Sequence, residues 1–199
     1  MVLSDCEIRN LVHEKGLIDP FDENKLQAVS YDISAGDVVR VYQRLNQEID
    51  LENRQQMQAA TSETMISKKR QYHIKPGEYV LVKTRERFQI PENLTAHVRP
   101  RTTFSRIGLL LSDQHMNPSF RGYLFLGLLN ATPNIINISP GLSIGQMVFE
   151  TVQGEISGGK LYEQKKDAHY QDEDAFIPPV LTQEEQAVVE RMVNQMMGR

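Results

Sequence analysis

Between Val98 and Leu109 the chain reads Val-Arg-Pro-Arg-Thr-Thr-Phe-Ser-Arg-Ile-Gly-Leu, which gathers Arg99, Arg101 and Arg106 with the hydroxyls of Thr102, Thr103 and Ser105. Guanidinium forks and hydroxyls on one loop form the donor set that a polyphosphate needs, because its charge is spread over several oxygens. The same residues also suit a solvated basic turn, since arginines often serve in structural ion pairs. Further on, Asp113 and His115 lie two apart, so a regular strand places carboxylate and imidazole on one face. That pair is a candidate general base, or else polar decoration at a strand end.

Composition narrows what these groups can serve. A net charge of −4 and a pI near 5.8 argue against a nucleic-acid partner, which wants a basic face. The basic cluster at 99–106 is local and suits a small anion. Cys6, the one cysteine, leaves no intrachain disulfide and no cysteine-based zinc cluster, and the five histidines (13, 73, 97, 115 and 169) show no close ligand pair. No apolar run approaches the length of a membrane span. The first residues do not read as a signal peptide, so a cytoplasmic protein without a membrane partner is expected.

The elements that must position these residues are short. Ser4-Asp-Cys-Glu7 is a capping box, followed by Ile8, Leu11 and Val12 at helical spacing and by Gly16 as a stop, so a helix is predicted over 5–15. Residues 17–27 read as turns, and 29–42 as strand with a turn at Ala35-Gly36. Residues 43–70 are polar and read as an exposed excursion with some helix near 51–60. Apolar runs at 78–84, 95–99, 107–112, 122–130, 134–138 and 145–152, each bounded by Pro, Gly or Asn, predict the strands of a sandwich or barrel. Gly158-Gly159 reads as a joint. Thr182-Gln-Glu-Glu185 is a second capping box, and Val188, Val189, Met192, Val193 and Met196 form a helical packing stripe. The division expected is a barrel domain over 1–177 and a helical extension over 178–199.

Taken in order, these pieces resemble the dCTP deaminase and dUTPase family of trimeric β-barrel nucleotide enzymes, and the deaminase branch in particular. The resemblance rests on Ser30-Tyr-Asp-Ile-Ser-Ala-Gly36, Ile74-Lys-Pro-Gly-Glu-Tyr-Val-Leu-Val82, Thr84-Arg-Glu86, Ile90-Pro-Glu-Asn-Leu94, Arg101-Thr-Thr-Phe-Ser-Arg106, Asn117-Pro-Ser-Phe-Arg-Gly122, Tyr162 and Asp167-Ala-His-Tyr170. It runs over roughly residues 3 to 175. It implies a mainly β fold: a distorted β-barrel or jelly-roll of the dUTPase-like type with short N- and C-terminal helices. It also implies a homotrimer with sites at subunit interfaces. The ligand implied is a deoxypyrimidine nucleoside triphosphate, carrying Mg2+ where a metal enters, with no zinc. The family reaction is dCTP plus water to dUTP plus ammonia.

By that resemblance Arg101 and Thr102 contact phosphate, Thr103 belongs to the same nucleotide-binding loop, Arg106 sits nearer the chemistry and orients an acid partner, and Tyr162, His169 and Tyr170 close over the nucleotide. Four positions, Asn117, Gly127, His169 and Glu173, depart from the pattern. The family aspartate is Asn117, whose amide can bond a sugar or base edge but cannot act as a general base, which disfavours a dUTPase-like diphosphohydrolase. The deaminase glutamate, which activates water and protonates the departing amine, is Gly127, and no acid occurs between Asp113 and Glu150 to replace it. A lysine and a glutamine in the closing segment become His169 and Glu173, the latter read as an acceptor-only carboxylate. The expectation is a weak or inactive deaminase, or else a non-catalytic nucleotide-binding or structural trimer. No residue is a firm catalytic group; Arg106, Asp113 and His115 are the candidates.

Overall fold

The computed structural model describes residues 1–46, 48–50, 53–166, 168–178, 187, 188 and 191. The chain opens on helix α1 (Asp5–Lys15), capped by Ser4 and Glu7 as a reciprocal box and stopped by Gly16 in the left-handed conformation. Its Ile8 is fully buried, with Leu11 and Val12 packed beside it. Strands β1 (Ile18–Asp19) and β2 (Leu26–Gln27) flank a 3-10 turn and lead into β3 (Ser30–Tyr42). Helix α2 (Arg54–Ala59) and β4 (Thr61–Met65) follow, then β5 (Tyr72–Ile74), β6 (Tyr79–Thr84), β7 (Arg87–Gln89) and β8 (Leu94–Pro100). Helix α3 (Thr102–Arg106) precedes β9 (Leu109–Leu111), β10 (Gln114–Met116), β11 (Arg121–Gly122), β12 (Phe125–Asn130), β13 (Ile136–Ile138) and β14 (Ser143–Thr151).

The main sheet runs β10-β8-β14-β3-β6-β12-β9, with β2 and β4 also paired to β3. It curls, because β3 serves two halves. Residues 31–34 pair with β14, and residues from Val39 onward pair with β6 and β4. Burial changes with the pairing: positions 30–36 are buried without a break, and alternation resumes beyond Asp37. The interior between the halves holds Tyr31, Ile33, Val80, Val82, Ala96, Val98, Leu126, Leu128, Met147 and Phe149, all nearly solvent-free. The fold is mainly β and curled as expected. Among the described residues no helix is long and apolar enough to cross a membrane.

Several local expectations change. No turn falls at Ala35-Gly36; β3 runs through it with a register shift between Ala35 and Val39. Glycine is required for a different reason: a Cβ on Gly36 would stand 2.8 Å from the carbonyl oxygen of Lys83 and 3.0 Å from that of Thr84. The polar excursion contains α2 as expected but also β4, which pairs with the second half of β3. The arginine loop is partly the short helix α3. The helical stripe expected over 188–196 lies outside the described residues except Val188 and Arg191, so the 178–199 extension has no structural account.

Gly36→Ala should lower stability by about 1–3 kcal/mol, because main-chain carbonyls of a paired strand cannot retreat from the added methyl. Equilibrium denaturation in urea measures it, and an unchanged midpoint would contradict the close approach.

Candidate functional site

A cleft of about 540 Å³ opens beside the main sheet, where the edge strand β10 comes near β12. The Gln114 amide spans the two, donating to the carbonyl of Phe125 at 2.8 Å. Gln114, His115 and Asn117 form one wall, and Leu81, Leu124 and Phe125 form the floor. The third side is the segment 162–177, which contributes Tyr162, Tyr170, Glu173, Phe176 and Ile177. The lining is mostly aromatic and aliphatic with two amides, the pattern of a site that holds a flat, largely neutral group. Among the described residues its lining contains no lysine and no arginine.

The closing segment is strapped down by cations from the sheet beneath it. Arg87 bonds Asp172 at 2.6 Å, and Arg121 approaches the same carboxylate at 3.5 Å. Lys83 donates to the Asp174 carbonyl at 2.5 Å, and the Arg40 guanidinium lies over the Phe176 ring at 4.2 Å. Main-chain bonds set the register: Asp172 donates to the Arg121 carbonyl, and Tyr123 to that of Glu173. The Phe125 and Phe176 rings meet edge to face at 5.2 Å.

The residues singled out from sequence divide into two groups. Asn117, His115, Tyr162 and Tyr170 all line the cleft. Arg101, Thr102, Thr103 and Arg106 do not. Arg101 is tied to Asp32 at 3.2 Å and to the Ser143 carbonyl at 3.1 Å. Thr102 and Thr103 are exposed on α3, and Arg106 is an exposed cation that makes no ion pair among the described residues. Asp113 and His115 each take a cross-strand partner in place of one another. Asp113 bonds Arg99 at 3.0 Å, and the His115 ring lies against His97 with centroids 4.9 Å apart. His169 stands in the strap outside the cleft lining, its buried Nε2 without a partner. Asp167 lies outside the described residues.

Glu173 corrects a sequence expectation. It is 6% exposed and lines the cleft, with Oε1 accepting from the Ile177 amide at 2.7 Å. Burial raises its pKa from the ordinary 4.5 to about 7, against the smaller opposing effects of the Ile177 bond and the Lys83 charge. Near neutral pH it is therefore protonated about half the time and offers a donor, as a glutamine does. The acceptor-only reading ignored desolvation.

A family model described as dCTP deaminase-like matches residues 2–152. A dUMP-forming dCTP deaminase of Hydrogenobaculum sp. (strain Y04AAS1) is 32% identical over 151 residues, covering 75% of this chain and 81% of that protein. The dCTP deaminase of Natronomonas pharaonis is 31% identical over 155 residues, covering 75% and 80%. Among solved structures, the 2′-deoxycytidine 5′-triphosphate deaminase of Agrobacterium tumefaciens superposes with a TM-score of 0.62 at 18% identity. That superposition covers 75% of this chain and about half (48%) of that one, and it shows the shared fold. The chain belongs to the dCTP deaminase-like family.

Against this family background, Gly127 is the notable position. It faces Leu81 across the β6–β12 pair, and its backbone N–H donates to Ser112 Oγ at 3.0 Å. A Cβ there would stand 1.8 Å from the Tyr79 hydroxyl oxygen. The glycine marks a close approach, and the approaching group is a side chain. Sequence reasoning also missed the apolar wall of Phe120, Phe125 and Phe176. Aromatic residues in and beside strands look the same in sequence whether they fill a core or line a cleft.

The Glu173 shift has a defined sign. Its folded pKa is raised, so the stability it contributes is full below about 4.5 and is lost as pH rises through about 7. Relative to Glu173→Gln, the wild type should lose melting temperature between pH 4.5 and 7.5 and run parallel above that range. Calorimetric melting across pH measures this, and parallel curves throughout would place the carboxyl in solvent.

Proposed function

We propose that this dCTP deaminase-like chain binds deoxypyrimidine nucleoside triphosphates at sites shared within a homotrimer, and that it turns over dCTP slowly or not at all. The observation that carries the reading is the separation of chemistries within one copy. The strapped cleft is aromatic, holds two amides and lacks cations, which suits a base and sugar. Arg106 and the hydroxyls of Thr102 and Thr103 are exposed elsewhere, which suits a triphosphate. A site completed by the loop of a second copy brings the two together. Mg2+ enters this reading only with the triphosphate, as part of the ligand, and no step is routed through it.

The slow-turnover half rests on the proton inventory. Hydrolytic deamination needs a group that takes a proton from water and gives one to the departing amine. At the two positions where the resemblance puts the family's acids, Gly127 has no side chain and the amide of Asn117 is not a comparable base; the carboxyl and imidazole groups that do line the cleft, Glu173 and His115, stand instead on the closing segment and on β10. Positioned acid–base catalysis contributes about 10²- to 10⁴-fold, so its loss takes away at least that much rate.

Four measurements test this. Light scattering should give a mass near three times 22.8 kDa; a monomer at micromolar concentration would defeat the shared site. Nucleotide-dependent melting shifts should appear with dCTP, dUTP or dTTP, because ligands that bind the folded state raise its melting temperature. Arg106→Ala should weaken triphosphate binding by about 1.5–3 kcal/mol, the scale of a charge-assisted bond, while leaving the protein's own melting unchanged. Arg101→Ala is a poorer probe because it strands the buried Asp32 carboxylate. Chromatography of dCTP incubations with Mg2+ from pH 6 to 9 should show little dUTP; formation on the order of 1 s⁻¹ would overturn the slow-turnover half.

A further inference from the structure

Phe125, Gly127 and Leu129 share the face of β12 that looks away from the interior, and Lys83, Leu81 and Tyr79 oppose them on β6. The Tyr79 ring reaches back from its own position, opposite Leu129, to lie over Gly127. An added Cβ would be 1.8 Å from its hydroxyl oxygen, 2.5 Å from its Cζ and 2.8 Å from Ser112 Oγ. The two hydroxyls thus crowd the point where a side chain at 127 would begin. Tyr79 is held there from the other side by Tyr42, with ring centroids 5.7 Å apart. Tyr42, Leu81 and Phe125 line the cleft; Tyr79, 38% exposed, packs against Tyr42 just beyond those lining residues, as do Gly127 and Ser112 beyond Phe125 and Gln114.

We propose that the Tyr79 hydroxyl, backed by Ser112, is the group that this cleft presents to the exocyclic edge of a pyrimidine base, in the space that an ionisable side chain on β12 would take. The proposal rests on the nucleotide-binding reading above and names the contact that reads the base. Ser112 Oγ accepts from the Gly127 amide and keeps its own proton to donate. A hydroxyl both donates and accepts, so it meets the amino group of cytosine and the carbonyl of uracil equally. The ligand class is therefore pyrimidine nucleotides of either kind, with little preference between them. Glycine at 127 is what lets the phenol lie flat on the strand.

Calorimetric titration with dCTP and with dUTP tests the contact. The wild type should bind both within about threefold of each other, and Tyr79→Phe should lose roughly five- to tenfold for each, the equivalent of one neutral hydrogen bond. Wild-type binding with Tyr79→Phe unchanged overturns this proposal alone. A wild type that binds neither nucleotide overturns the nucleotide reading and this proposal together. A stability cycle tests the crowding without any ligand. Gly127→Ala should lower Tm by roughly 3–10 °C when Tyr79 is present and by much less in a Tyr79→Ala background. Additive effects in that cycle would show that the phenol does not fill the space, and would also overturn the proposal.

Discussion

The close passage of β3 over the β6–β7 hairpin is the constraint on which the rest of the structure depends. Gly36 meets the carbonyls of Lys83 and Thr84 there, and Arg85 donates its amide to the Ser34 carbonyl at 2.9 Å. The side chain of Glu86 returns under the strand to accept from the Ser34 amide at 2.9 Å and from its hydroxyl. Glu86 is 1% exposed, and burial pushes its pKa up against those bonds. Because the crossing is fixed, one strand can pair with β14 on its first half and with β6 and β4 on its second. The sheet must then curl, and its far edge, β10, comes round to the outer side of β12. The cleft lies where those two strands meet without main-chain pairing and are joined by the Gln114 side chain.

The sequence makes parts of this architecture legible and hides others for identifiable reasons. Helix α1 is bounded by local signals at both ends, the Ser4–Glu7 box and Gly16, so it is found to the residue. At Ala35-Gly36 the glycine signal is real, but a turn and a close backbone approach demand the same residue. Strand β4 escapes notice because Thr61-Ser-Glu-Thr-Met65 has little apolar alternation; its order comes from pairing with β3. Asn117, Tyr162 and Tyr170, singled out through the family pattern, line the cleft. The Tyr79–Gly127 contact is not legible in that way, since it depends on the register between β6 and β12 and on the direction of a long side chain.

The charged groups show why the cleft can be so apolar. Each arginine near it already has work. Arg87 and Arg121 hold Asp172, Arg40 covers Phe176, and Arg101 neutralises Asp32, whose side chain is 8% exposed. A buried carboxylate without its partner is strongly destabilising, so Arg101 is committed to the fold before any ligand arrives. Arg106 carries no such commitment. In the reading proposed above, the phosphate contact is therefore assigned to Arg106, which no ion pair among the described residues commits, with the exposed hydroxyls of Thr102 and Thr103 on the same short helix.

The strap is the part of the site most open to conditions. Its ion pairs are partly exposed, with Asp172 at 48% and Arg121 at 40% side-chain exposure, and such pairs contribute about 0–1 kcal/mol each and weaken with salt. Its ring contacts include Phe176 on Phe125 and Tyr162 on Phe120, with the Arg40 guanidinium over Phe176. Against these stands Glu173, which closure buries and which resists ionising there. Burial of Glu173 and retention of its proton are therefore linked: ionisation works against the buried arrangement, and protonation favours it. A ligand that offers Glu173 a donor offsets the cost of its ionised form, and one that offers an acceptor favours the protonated form.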